Sequence, residues 1–257
     1  MESVLLFIVG LVVGFLAGLI GIGGGILYVP ILFFFFNFDI HEAISTSIFI
    51  IFFSTASSYL FYRKRMRVKY RLALLLESAT VPGVVLGSYL SSILAKEILE
   101  ATYSIVLLAL SIHLAYTSIR KKKEELVDIP ITQIKLDRLI KGMIVSFFAG
   151  LLAGSLGISG GVLKVPILIL VIGVPTKVAV ATSVFMILIT TTAAFLSHIV
   201  YGRIRYVLGL YAAAGAIVGA QLGGRSGVKT DPKYIRLTLA FLLAIAAIRM
   251  MMTLFHL

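Results

Sequence analysis

The chain alternates long apolar runs with short polar breaks, and the run lengths predict the elements. Crossing the hydrocarbon of a bilayer takes about 20 predominantly apolar residues in a helix. Runs of that kind cover Glu2 to Ile20, Ala43 to Tyr62, Leu72 to Leu94 and Ile98 to Ile119. The segment between the first two, Ile26 to Phe38, is apolar but too short to cross comfortably, and Asn37, Asp39 and His41 mark a surface turn at its end. After a long polar stretch the order returns: Ile140 to Leu156, a short Val162 to Ile172, then Ala179 to Val200, Tyr206 to Leu222 and Ile235 to Leu254. Pro82 and Gly83 predict a kink in the fourth element.

The two series are copies of one another. GLIGIGGGILYVPIL (Gly18 to Leu32) and GSLGISGGVLKVPIL (Gly154 to Leu168) align without a gap when 136 is added to each number. From Gly14 to Leu32, 13 of 19 positions match their partners, and the register holds onward through Thr46-Ser47 with Thr182-Ser183 to Gly87 with Gly223. Such an internal repeat governs the reading of everything else. The expected organisation is a first transmembrane repeat over 1–119, a cytoplasmic linker over 120–138 and a second repeat over 139–257.

Composition fixes the class. Of the 257 residues 60% are hydrophobic and 13% charged, far outside the soluble range, so the fold class is an all-α polytopic membrane protein. The first run lacks the basic flank and cleavage site of a signal peptide and is expected to stay in the mature chain. A formal charge of +12 would suggest nucleic acid in a soluble protein; here the basic residues crowd beside apolar runs, as cytoplasmic loops do, and no nucleic-acid partner is expected. The absence of cysteine excludes thiolate chemistry, and four scattered histidines make no metal-ligand spacing. No cofactor is implied, and no convergent acid/base or nucleophile set points to an enzyme.

Charge also orients the repeats. RKRMRVKYR (Arg63 to Arg71) holds six basic residues and no acidic one, and Arg120 to Lys141 is basic too, so both are expected in the cytoplasm. In the second series the basic excess moves to the other loop: only Arg203 and Arg205 remain at the first position, while Arg225, Lys229, Lys233 and Arg236 appear at the second. Five elements per half and a swapped charge bias predict two inverted-topology repeats with broken helices at the glycine motifs, an architecture of secondary transporters. Both chain ends are then expected outside, and the short elements either span or re-enter.

Candidate chemistry sits at the motifs. Isolated glycines such as Gly10, Gly14, Gly209 and Gly215 read as close helix packing. Runs of three or four within five positions instead break a helix, and broken backbone at membrane depth must be buried in protein or line a wet cavity. A short helix starting at each break offers free N–H groups and the positive end of a dipole to an anion. The candidate substrate-binding set is therefore Gly23, Gly24, Gly25, Ser159, Gly160 and Gly161, with the hydroxyls of Thr46, Ser47, Thr182 and Ser183 as lining. Lys164 stands where the first repeat has Tyr28, and an intramembrane lysine is a functional candidate, set against the plainer expectation that it snorkels to an interface. For Glu77 and His113, a snorkelling or helix-capping role stands at least level with proton coupling, and Thr190-Thr191-Thr192 is expected to bond helix carbonyls. His198 is weak alone, and Gln221 faces either a cavity or a neighbouring helix. Neither glycine run continues into the GK[ST] of a P-loop, which argues against direct ATP drive.

The doubled GxxGxGGGxxxxPxL-like signature, each copy followed by Ile44-Ser45-Thr46-Ser47 or Val180-Ala181-Thr182-Ser183, resembles the sulfite exporter TauE/SafE family of membrane permeases. The resemblance covers nearly the whole chain, least typically the central loop, and Ser159 departs from the glycine of the first copy. It implies a multi-pass cell-membrane transporter of small sulfur-containing oxyanions such as sulfite or organosulfonates, working by alternating access; an anion channel of the same architecture is the alternative. The implied partners are a small anion and the lipid bilayer, with monomer or homo-oligomer left open.

Overall fold

The computed structural model describes residues 2–20, 24–119, 134–227 and 232–254. Its helices are α1 (Glu2–Ile20), α2 (Gly25–Phe36), α3 (Ile40–Tyr62), α4 (Tyr70–Ile93), α5 (Lys96–Ile119), α6 (Leu136–Leu156), α7 (Gly161–Pro166, continuing as a π-helical stretch over Ile167–Ile172), α8 (Thr176–Tyr201), α9 (Tyr206–Gly227) and α10 (Pro232–Leu254). Among the described residues α1, α3, α4, α5, α6, α8 and α9 are long and apolar enough to cross a membrane. The protein is thus an all-α polytopic membrane protein, as its hydropathy pattern predicts. Most of the predicted linker and Gly23 lie outside the described residues.

Helix α2 answers the question left by its length. At 12 residues it reaches only about 18 Å at 1.5 Å per residue, and it folds back along α1. Gly24 lies against Val13 and Ala17, and the Tyr28 hydroxyl donates to the Gly10 carbonyl at 3.3 Å. The second repeat makes the same hairpin, with Gly160 near Ala153 and Ile172 against Gly142. Both hairpins end alike: the amides of Asn37 and Gly173, in left-handed conformation, close on the carbonyls of Leu32 and Leu168. The cause is a backbone requirement repeated in register, which explains why two different residues occupy it.

The main helix pairings are unchanged when the halves are exchanged. The most extensive contact of α1 is with α9, and that of α6 with α4; α3 packs on α9 as α8 packs on α4, while α5 meets α10 and α3 meets α8. Small residues make the first two contacts close. A Cβ added at Gly14 would come within 2.6 Å of the Ala216 carbonyl oxygen, and one at Gly215, Gly219 or Gly223 would strike the backbone of Phe7, Leu11 or Phe15. Gly83 and Gly87 stand the same way against Phe147 and Leu151, and Gly150 and Gly154 against Thr80 and Val84. Lipid tails are as apolar as the helices, so close backbone approach supplies association that hydrophobicity cannot. The packing role expected of Gly10, Gly14 and Gly215 is what these positions perform. Gly83 is one more of them, and α4 continues through Pro82 as a single helix.

Candidate functional site

The two motifs meet. Gly24 is the N-cap of α2 with φ 71° and ψ −6°, and Gly160 is the N-cap of α7 with φ 64° and ψ −8°. A left-handed residue at each break is what an L side chain resists and glycine accepts. A Cβ at Gly25 would lie 2.8 Å from the Ser159 amide nitrogen and 2.9 Å from the Gly157 carbonyl oxygen, so the start of α2 rests on the segment that opens α7. The first-turn amides of a helix have no partner inside it, and here the first turn of α2 meets the segment of the opposite half that leads into α7.

The Thr-Ser pairs flank this junction on α3 and α8, the two most buried spans. Their hydroxyls do different things. Ser47 donates to the Ile44 carbonyl at 2.7 Å and Ser183 to that of Val180 at 2.8 Å, with Ser47 also reaching the Gly157 carbonyl at 3.3 Å. The two threonines accept instead: the Arg205 amide donates to Thr46 Oγ1 and the Lys69 amide to Thr182 Oγ1, both at 3.1 Å. A threonine that accepts in this way keeps its own hydrogen for another acceptor. Each threonine also ties the loop of the opposite half to a central helix.

Lys164 is fully buried, at 0% exposure, and does not snorkel. Its ammonium donates to Glu77 Oε1 of α4 at 2.5 Å and to Thr190 Oγ1 of α8, while Thr190 donates to Glu77 Oε2 at 2.6 Å. Glu77 is 2% exposed, which corrects the expectation that it snorkels towards a basic loop. Thr190 departs from the carbonyl-bonding role expected of the threonine triplet, whereas Thr191 and Thr192 follow it, donating to Ile187 and Leu188. Sequence reading therefore found the lysine and missed its two partners. A buried lysine demands a counter-ion, and Glu77 was a carboxylate already placed in a predicted span.

His198 links three helices: its ring bonds the Gly154 carbonyl and Ser45 Oγ, each at 3.0 Å. Its repeat partner Tyr62 donates to the Gly18 carbonyl at 2.9 Å, the partner of Gly154. The amide of Gln221 donates to the Ser57 carbonyl at 3.3 Å, across to α3. Among the described residues no cluster of three or more His, Cys, Asp or Glu side chains can hold a metal.

Seven spans arranged round a doubled helix break define a multi-pass α-helical membrane protein with a buried polar centre. A sequence profile of the family described as sulfite exporter TauE/SafE matches residues 6–250, and the chain belongs to that family: it is a membrane transporter of the TauE/SafE type, not an enzyme. It is similar to the probable membrane transporter protein YunE of Bacillus subtilis, 31% identical over 91% of this chain and 92% of the relative. A probable membrane transporter protein of Methanocaldococcus jannaschii is 28% identical over 96% of this chain and 95% of its own length. One of Haemophilus influenzae is 32% identical over 72% and 68%. No solved structure matches the chain.

Proposed function

We propose that this protein is a secondary transporter of small sulfur-containing oxyanions, sulfite or organosulfonates, built as two inverted repeats over 1–119 and 139–257 joined by a cytoplasmic linker. The observation that carries the reading is the close approach of Gly25 to the Ser159 amide, which sets the start of α2 on the segment that leads into α7 and its buried lysine. Backbone amides at Gly24, Gly25, Ser159, Gly160 and Gly161, with Gly23 beside them, suit a small anion without committing a side chain to it. Thr46 and Thr182 add hydroxyl hydrogens; Ser47 and Ser183 must first give up their helix carbonyls. The exchange-symmetric pairing of helices supports alternating access, because each half can rock against the other about a shared centre.

Lys164 adds a condition. Its charge is already neutralised by Glu77, so an anion gains the ammonium only by replacing the carboxylate as its partner. Occupied and empty sites then differ in which anion Lys164 holds. The test is flux of radiolabelled sulfite into proteoliposomes, with taurine and sulfoacetate as competitors, for wild type, Lys164→Ala and the charge-free pair Lys164→Met/Glu77→Gln. Saturable, counterflow-capable flux that both variants lose is expected. Flux retained by folded variants removes Lys164 from the site, non-saturable flux without counterflow favours a channel, and no flux of any of these anions by folded wild type removes the substrate class.

A further inference from the structure

A cavity of about 390 Å³ opens between the ends of α3 and α9. Its wall carries four cationic side chains, Arg63, Lys64, Arg65 and Arg225, all exposed. Among the described residues no carboxylate lies within ion-pair distance of any of them, although other basic side chains do find one. At the far end of α3, Arg205 pairs with Glu42 at 2.9 Å and Arg203 reaches Asp39 at 4.0 Å. The repeat partners of Asp39 and Glu42 are Pro175 and Val178, so the symmetry-related loop has lost its acids.

Two plainer accounts fall short. The ends of α3 and α9 each present the negative end of a helix dipole, but these amount to about half a charge apiece, leaving an excess of about three positive charges. Nor does the fold require cations here. The repeat partners of Arg63, Lys64, Arg65, Gln221 and Arg225 are Ile199, Val200, Tyr201, Val85 and Tyr89, and at that pseudo-equivalent place the rings of Tyr89 and Tyr201 close edge to face with centroids 5.8 Å apart. One end is sealed by aromatic rings; the other is open and basic.

We propose that this cavity binds a phosphate group, and that the group is the headgroup of an anionic phospholipid. The walls are held in place: the Arg65 guanidinium sits 4.1 Å above the Phe61 ring, and Gln221 is tied to the Ser57 carbonyl. Planar guanidinium groups pair with phosphate oxygens through two parallel N–H donors. The volume lies within the range of small-molecule sites. Leu60, which also lines the cavity, is 48% exposed on the outer surface of α3, so a headgroup seated among the cations leaves its acyl chains against apolar helix surface. Basic pockets between spans on the positively flanked side of a membrane are where anionic headgroups are held.

The test is native mass spectrometry of the purified full-length protein titrated with phosphatidylglycerol or phosphatidylcholine. Three proteins are compared: wild type, Arg65→Gln/Arg225→Gln, and a control with equal charge loss in the linker, Arg120→Gln/Lys121→Gln. Wild type and control are expected to retain one phosphatidylglycerol in preference to phosphatidylcholine. The cavity variant is expected to lose about thirtyfold in that affinity, two charges at their usual worth beside a membrane surface. Excess inorganic phosphate separates the sources: lipid retained against it upholds the headgroup, whereas lipid displaced by it assigns the cavity to soluble phosphates. A wild type with no preference between the lipids, or a control that loses it as fully as the cavity variant, overturns the proposal.

Discussion

The two repeats share a backbone and differ in what they bury at its centre. Beside the short helix of the second, Lys164 and Thr190 close a charged triad with Glu77, which α4 of the first half supplies. Beside the short helix of the first, the partner positions are Tyr28 and Ser54, with Ala213 supplied by α9 of the second half. Tyr28 is buried and bonds the Gly10 carbonyl, and the Ser54 hydroxyl has no hydrogen-bond partner among the described residues. The neutral version folds the same hairpin. The lesson is that the charge is not there to build the fold, since its twin manages without it, and a buried ion pair is in general poor evidence of stabilisation.

That comparison breaks most sharply by removing one charge. Lys164→Met leaves Glu77 buried without a counter-ion and is expected to destabilise the protein by roughly 3–5 kcal/mol, whereas Lys164→Met/Glu77→Gln is expected to return close to wild type. Tyr28→Phe, the corresponding change in the neutral half, removes one hydrogen bond and is expected to cost about 1 kcal/mol. Thermal unfolding in detergent, followed by circular dichroism at 222 nm, ranks the three. If the single lysine variant unfolds with the wild type, the triad does not exist as an ion pair in the folded protein.

The triad also shows where sequence legibility stopped. The helix breaks were readable because both copies must satisfy the same backbone demand, and glycine at Gly24 and Gly160 records it. Isolated packing glycines such as Gly10, Gly14 and Gly215 were readable as small residues within apolar runs, whereas Gly83, beside Pro82, read as a kink. Glu77 was not, because it contacts Lys164 across halves and its repeat partner is Ala213, so neither periodicity nor repetition marked it. Thr190 was concealed by its neighbours, since a run of three threonines suggests one shared role and the helix gives each a different face.

The helix breaks sharpen the comparison at smaller amplitude. Gly24→Ala and Gly160→Ala each place an L residue in left-handed backbone, at about 1–2 kcal/mol. Their surroundings differ: a Cβ at Gly24 would lie 2.7 Å from the Ala17 Cβ, while at Gly160 the nearest atom is the Lys164 Cε at 3.5 Å. Gly24→Ala is therefore expected to show the larger fall in melting temperature. Equal falls would mean that strain alone, and not the close approach of Ala17, sets the cost.

The smallest effects concern the threonines, and they decide what the paired Thr-Ser stretch is for. Thr46 and Thr182 each accept from a loop amide of the opposite half, at the same distance and at partner positions. Thr46→Val and Thr182→Val keep the shape and remove the acceptor, so each leaves a partly buried amide without its partner, at the low end of about 1–3 kcal/mol because the loops are partly solvated, and equally in both halves. A purely structural clasp predicts that the two variants melt alike and carry the transported substrate with an unchanged KM. A lining role predicts instead that KM rises, because the hydrogen each hydroxyl keeps free is then lost to the anion. Serine at either position discriminates further: it restores the hydroxyl without the methyl, so recovery of KM by Thr46→Ser or Thr182→Ser assigns the effect to the hydrogen bond, and failure to recover assigns it to packing on α3 or α8.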